Sequence, residues 1–129
     1  MKLLLDTCTF LWLAADAPEL SGAARRACRD PGNEVYLSAL SAWEISIKHR
    51  LGRLPLPQAP TEYVMSRREW LRIEPLAFDE ACAAHDCLLP EHHRDPFDRG
   101  LVAQAILHGM SIVTPDPLIA RYPAPVYWS

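Results

Sequence analysis

The residues with the clearest chemical potential are acids. Asp6 directly follows the apolar run Lys2–Leu5, and Asp116 follows Ser111–Thr114 by two residues. Glu44 sits in the first turn of a helical stretch behind the run Glu34–Ala39, while Asp95 and Asp98 open the stretch Pro96–His108. A parallel α/β sheet builds its sites beyond the carboxyl ends of its strands, so these acids are expected to meet at one rim. Carboxylates gathered without a cation repel, and some of them stay protonated. With one or two Mg²⁺ ions, which take oxygen ligands, the same group supports phosphoryl chemistry: water activation, phosphate polarisation and stabilisation of the leaving oxygen.

Each acid also has an ordinary structural role. Asp6, Asp95 and Asp116 suit helix N-caps, the last two ahead of a proline at the first helical position. Asp98 complements a helix dipole, and Glu44 pairs with Lys48 at i, i+4 on a solvated face. A cap already aims its carboxylate at the rim, so the two roles are compatible. Asp95 reads as the cap, and Asp98, one turn on, as the ligand.

Thr7, Thr9, Ser38 and Thr114 lie near the acids in sequence. Their hydroxyls either orient carboxylates or satisfy local backbone groups. His92 and His93 read as surface positions, and Trp12, Trp43 and Trp70 as core faces of helices. Cys8, Cys28, Cys82 and Cys87 form no CxxC pair, and their spacing to His92 and His93 matches no common zinc finger. They read as reduced thiols, buried or half-buried.

These residues need a scaffold, and the apolar pattern supplies one. Strands are expected at Lys2–Leu5, Glu34–Ala39, Arg72–Leu76, Ser111–Thr114 and Val126–Trp128. Helices are expected at Thr7–Ala15, Gly22–Arg29 (capped by Ser21), from a Ser41 cap to about Leu51, Thr61–Leu71, Asp79–Cys87 and Pro96–His108, with a short one after Pro117. Trp43, Ile47 and Leu51 recur at i, i+4, i+8, the spacing of a buried helix face. Gly52 and Gly109 are helix stops, and Pro55, Pro57 and Pro60 make a stiff connection. This alternation implies a mostly parallel sheet with helices on both faces.

Composition bounds the rest. The chain of 129 residues is expected to be one domain, 1–129, large enough for a hydrophobic core without disulfides. Half its residues are hydrophobic, which excludes a disordered tail. No apolar stretch is long enough for a membrane span. The N-terminal run holds Asp6, Thr7 and Thr9, which argues for strand and helix over a signal peptide and for a cytoplasmic protein. Thirteen basic residues face 16 acidic ones, a net of −3, which argues against a simple basic nucleic-acid binder. Without Asp6, Glu44, Asp98 and Asp116 the balance is 13 against 12, or +1. Eleven of the 13 basic residues are arginine, whose fork suits phosphate, and Arg94 and Arg99 bracket the acids as candidate phosphate contacts.

Four segments carry a resemblance: LLLDTCTFLWLAAD at Leu3–Asp16, VYLSALSAWEISIKHRLGRLPLP at Val35–Pro57, LPEHHRDPFDRGLVAQA at Leu89–Ala105 and SIVTPDPLIARY at Ser111–Tyr122. Together they resemble the PIN-domain ribonucleases, and within them the VapC toxins of type II toxin–antitoxin systems. The resemblance implies a three-layer α/β/α sandwich around a mostly parallel sheet of about five strands. It implies Mg²⁺- or Mn²⁺-dependent endonucleolytic cleavage of RNA by Asp6, Glu44, Asp98 and Asp116, with Asp95 secondary and Arg94 and Arg99 as candidate RNA contacts; Thr7 and Thr114 are secondary candidates because they lie close to the acids in sequence. It also implies a homodimer and a VapB-type antitoxin, through which alone the complex meets DNA. Two positions depart from the family pattern: Cys8 stands where many relatives carry histidine, and Gly100 where a larger apolar residue is usual. The competing readings are another metal-dependent phosphoesterase and an inactive PIN-like binding module.

Overall fold

A computed structural model describes all 129 residues, Met1–Ser129. Five strands, β1 (Lys2–Leu5), β2 (Glu34–Ser38), β3 (Glu74–Leu76), β4 (Ser111–Val113) and β5 (Val126–Tyr127), form one sheet in the order β3-β2-β1-β4-β5. Every pairing is parallel, so all carboxyl ends point to one rim. The helices are α1 (Thr7–Ala15), α2 (Gly22–Arg29), α3 (Ala39–Arg50), α4 (Pro60–Trp70), α5 (Glu80–Ala84) and α6 (Pro96–His108).

β1 lies at the centre, and Leu3, Leu4 and Leu5 are each fully buried because both faces are covered. Successive side chains alternate between faces. Leu3, Leu5, Val35, Leu37 and Val113 join Phe10, Leu13, Ala24, Ile45 and Val64 from α1 to α4. Leu4 and Ile112 join Leu101, Val102 and Ala105 of α6, with Ile119 and Tyr122 from the segment after β4. Each such leucine contributes roughly 1.5–3 kcal/mol by burial. Pro75 sits in edge strand β3, where a missing backbone donor is tolerated.

Most expected elements form, with differences that have local causes. Ser38 rather than Ser41 caps α3: its side chain accepts from the Leu40 N–H at 3.0 Å, so the helix starts earlier and Glu44 lies in its second turn. The Asp79–Cys87 helix is shorter, ending at Ala84 before a 3₁₀ turn at His85–Leu88, and the segment after Pro117 is likewise a 3₁₀ turn, Ile119–Arg121. Gly109 ends α6 in the left-handed conformation (φ 64°), as a glycine stop requires.

The stripe Trp43, Ile47, Leu51 is not a core face. Trp43 is 60% and Leu51 51% exposed, and α3 instead buries Leu40, Ser41, Glu44 and Ile45. Trp70 is exposed too, and Trp12 is only partly buried, against Trp128. A periodic pattern states that a face is apolar; it does not state which neighbour covers it. Gly100 marks a close approach: a Cβ there would meet Leu40 Cδ1 at 2.3 Å and Phe78 at 3.3 Å.

Candidate active site

Asp6 leaves β1 with its N–H still on the ladder, donating to the Val113 carbonyl at 3.3 Å. Its carboxylate then caps α1, accepting from the Thr9 N–H at 2.8 Å through Oδ1. Oδ2 accepts from the Thr114 hydroxyl at 2.5 Å, and that hydroxyl accepts from the Asp116 N–H at 3.0 Å. The ends of the adjacent strands β1 and β4 are thereby tied through one threonine. Asp116 accepts from the Leu118 N–H at 2.8 Å but is not the expected N-cap with Pro117 at the first helical position: the 3₁₀ turn starts only at Ile119, with Leu118 at its cap position.

Glu44 reaches the same rim from α3 and is buried, 7% exposed, so the solvated-face reading does not hold. Its pairing with Lys48 does form, at 2.7 Å through Oε2, while Oε1 accepts from the Thr7 hydroxyl at 2.6 Å. The Ser41 hydroxyl stands 3.1 Å from that of Thr7. Asp95 caps α6 by accepting from the Phe97 and Asp98 N–H groups.

Asp98, in the first turn of α6, is where the electrostatics concentrate. Burial pushes its carboxyl up from 3.8 to about 7; the charge of Asp95 adds to that, then those of Glu44 and Asp116, against a downward pull from His93. Lys48 is raised, chiefly by its bond to Glu44, and also senses Asp95 and Asp98. Asp95, Asp98, Glu44 and Asp116 therefore share one electrostatic neighbourhood, and Thr114 connects Asp6 to it.

The donor set fits a hard divalent cation. All of its donors are carboxylate oxygens, and a cation would favour the charged form of Asp98 that burial, first, and its acidic neighbours, second, disfavour. Cys8 adds no thiolate: its Sγ donates to Asp6 at 3.3 Å, and burial with the Asp6 charge pushes the thiol up to about 12. Cys28 and Cys82 are buried, whereas Cys87 is exposed. Away from the acids, Asp79, Cys82 and His108 bring a carboxylate, a thiol and an imidazole within 4.8 Å of one another.

Three basic residues separate. Arg94 is exposed beside the acids. Arg99 is no surface phosphate contact: it is buried, and its guanidinium donates to Asp86 Oδ1 (2.7 Å), the Asp86 carbonyl (2.8 Å), the Pro90 carbonyl (2.8 Å) and the Tyr122 hydroxyl (3.2 Å). His93 is not a plain surface residue either, since its Nε2 lies 3.2 Å from Asp98 Oδ2 and its Nδ1 2.8 Å from the Tyr122 hydroxyl. The sequence hint for His93 was its place just ahead of Asp95-Pro96; Tyr122 and Asp86 carried no local sign. A groove of about 840 Å³, lined in part by Trp43, Phe78, His92, Arg94 and Phe97, flanks this region, and none of the four principal acids lines it.

The comparisons agree with this architecture. The PIN domain family model matches residues 3–125. Ribonuclease VapC22 of Mycobacterium tuberculosis is 30% identical over 126 residues, covering 95% of both chains. Ribonuclease VapC16 of the same organism is 44% identical over 73 residues, a match spanning 57% of this chain and 50% of that protein. Among solved structures, VapBC2 from Rickettsia felis, bound to a DNA fragment from its promoter, superposes with a TM-score of 0.74 over the whole of both chains at 14% identity. A family profile over nearly the full length, a full-length relative and a rim of clustered carboxylates lead to one assignment: the chain belongs to the PIN-domain family, in its VapC ribonuclease branch.

Proposed function

We propose that residues 1–129 act as one PIN domain: a Mg²⁺- or Mn²⁺-dependent endoribonuclease, the toxin of a cytoplasmic VapBC-type toxin–antitoxin module. What supports this reading is Asp98, pushed up to about 7 by burial and by Asp95, Glu44 and Asp116, with Asp6 linked to the Asp116 turn through Thr114. Asp6 and Asp98 would hold the ion, with Asp116 binding directly or through water and Glu44 holding a water or a second ion. When bound, the ion supplies Lewis acidity toward the phosphodiester and the attacking water.

The chain's own residues do the positioning. Thr114 fixes one oxygen of Asp6, Thr7 fixes one oxygen of Glu44, and Lys48 offsets part of the Glu44 charge. One carboxylate accepts the proton of the attacking water. Water, rather than the ribose 2′-hydroxyl, is then the nucleophile, so products carry 5′-phosphate and 3′-hydroxyl ends. Arg94, exposed and next to Asp95 in sequence, would meet the RNA backbone.

A VapB-type antitoxin and a second copy of the chain are the proposed protein partners, with DNA reached through the antitoxin. The exposed stripe of Trp43 and Leu51 on α3 is apolar surface of the kind that partner chains cover. No helix is long and apolar enough to cross a membrane.

The test is purified, antitoxin-free protein on total RNA with and without Mg²⁺ or Mn²⁺, beside Asp98→Asn. Metal-dependent cleavage lost in the variant is expected. Ends bearing 2′,3′-cyclic phosphate that form equally well in EDTA would refute the mechanism.

A further inference from the structure

Tyr122 lies 29 residues beyond His93 in sequence, yet its buried hydroxyl is the hub of a network that ends at Asp98. Three nitrogens surround that oxygen. The Arg99 Nη1 approaches at 3.2 Å and the His93 backbone N–H at 3.3 Å, and neither can accept a hydrogen bond. They occupy both lone pairs of the phenol oxygen. The third nitrogen, His93 Nδ1, stands at 2.8 Å, the shortest of the three. A third donor would have no lone pair to meet and would leave the phenol proton without an acceptor. The hydroxyl therefore donates to Nδ1, and the imidazole proton must sit on Nε2.

Nε2 lies 3.2 Å from Asp98 Oδ2. We infer that Tyr122 locks neutral His93 in its Nε2–H tautomer, and that His93 is thereby a positioning residue that donates to Oδ2 of Asp98 and leaves Oδ1 for the metal. The second part rests on the nuclease reading above. The lock is itself braced, because Arg99 is held by Asp86 and the Pro90 carbonyl and cannot turn its N–H away from Tyr122. The geometry is that of an outer-shell partner, which sets the orientation of a metal ligand without touching the ion.

The lock can be read directly by long-range proton–nitrogen NMR of ¹⁵N-histidine-labelled protein at pH 8 in EDTA, with His93 assigned by its absence in His93→Gln. The expected wild-type pattern is a protonated Nε2 and an unprotonated Nδ1. Tyr122→Phe, which keeps the ring and removes the hydroxyl, should move His93 toward a mixture of tautomers. Mn²⁺ titration calorimetry supplies the second readout. His93→Ala should weaken binding about 10- to 100-fold. His93→Gln, whose amide can still donate to Oδ2, should recover most of that loss, and a purely structural role would not distinguish the two variants.

A wild-type Nδ1–H tautomer, or a tautomer unchanged in Tyr122→Phe, overturns the lock. Equal Mn²⁺ affinity in wild type and His93→Ala overturns the positioning role. Should wild type bind no Mn²⁺ and cut no RNA, the nuclease reading and the positioning role fall with it, while the NMR result still decides the lock.

Discussion

Asp98→Asn should make the metal-free protein more stable. In the fold this carboxyl is raised from 3.8 to about 7, so the folded state holds the proton more tightly than the unfolded chain does. The sign follows from linkage: stability from this group is complete below about pH 4 and is lost as pH rises through about 7. Each pH unit corresponds to about 1.4 kcal/mol, so the ceiling is about 4 kcal/mol. The side chain is 20% exposed, and screening by solvent at the rim reduces the figure to about 2 kcal/mol. Asparagine has nearly the same shape, keeps an acceptor for His93 and carries no charge. In EDTA at pH 8 the variant should therefore exceed wild type by about 2 kcal/mol, a Tm difference of about 6–8 °C for a chain of this size. The lead should shrink toward zero as pH falls to about 4. Urea unfolding in EDTA at pH 8, 6.5 and 5 measures it. Saturating Mn²⁺ should invert the order, since free ion at 100 times its Kd stabilises wild type by about 2.7 kcal/mol and the variant binds poorly. A variant no more stable than wild type at pH 8 in EDTA would show that Asp98 bears no strain from its neighbours, and the reasoning would fail.

Further outcomes follow from the same contacts. Thr7→Val removes the donor to the buried Glu44 Oε1 and should cost about 1–3 kcal/mol in EDTA by chemical denaturation. Gly100→Ala gains up to about 1 kcal/mol of helix propensity but places a Cβ against Leu40 Cδ1 and Phe78, and overpacking costs roughly 1–3 kcal/mol. The net should be a loss of about 1 kcal/mol, and a more stable variant would mean that Leu40 moves aside freely. In native protein at pH 8, a disulfide reagent should react quickly with one thiol, the exposed Cys87. Cys8, pushed up to about 12, and Cys28 and Cys82, both pushed up to about 11, should react only after denaturant is added. Two or more fast thiols in the folded protein would contradict that burial.

What was legible in the sequence was local or repeated. Caps at Asp6, Ser21 and Asp95 could be read because a cap bonds to an amide two or three residues ahead, within the same stretch of chain. The left-handed stop at Gly109 follows from the residue type alone. The parallel order of the elements placed the acids at one rim because strand direction decides where every strand ends. Tertiary structure decided everything that depends on a distant neighbour. The stripe at Trp43, Ile47 and Leu51 has the spacing of a core face, yet Trp43 meets only the edge of Phe97 and stays 60% exposed, and Leu51 is exposed as well. Glu44 has the spacing of a surface pair with Lys48 and is buried, because Thr7 comes from 37 residues away to meet it. Arg99 looked like a phosphate contact and is enclosed by Asp86, Pro90 and Tyr122. His93 acquires its partners only when the segment after β4 folds back to bring Tyr122 alongside. Sequence encodes residue type and spacing; the direction of a hydrogen bond between residues 29 positions apart exists only once the chain has closed.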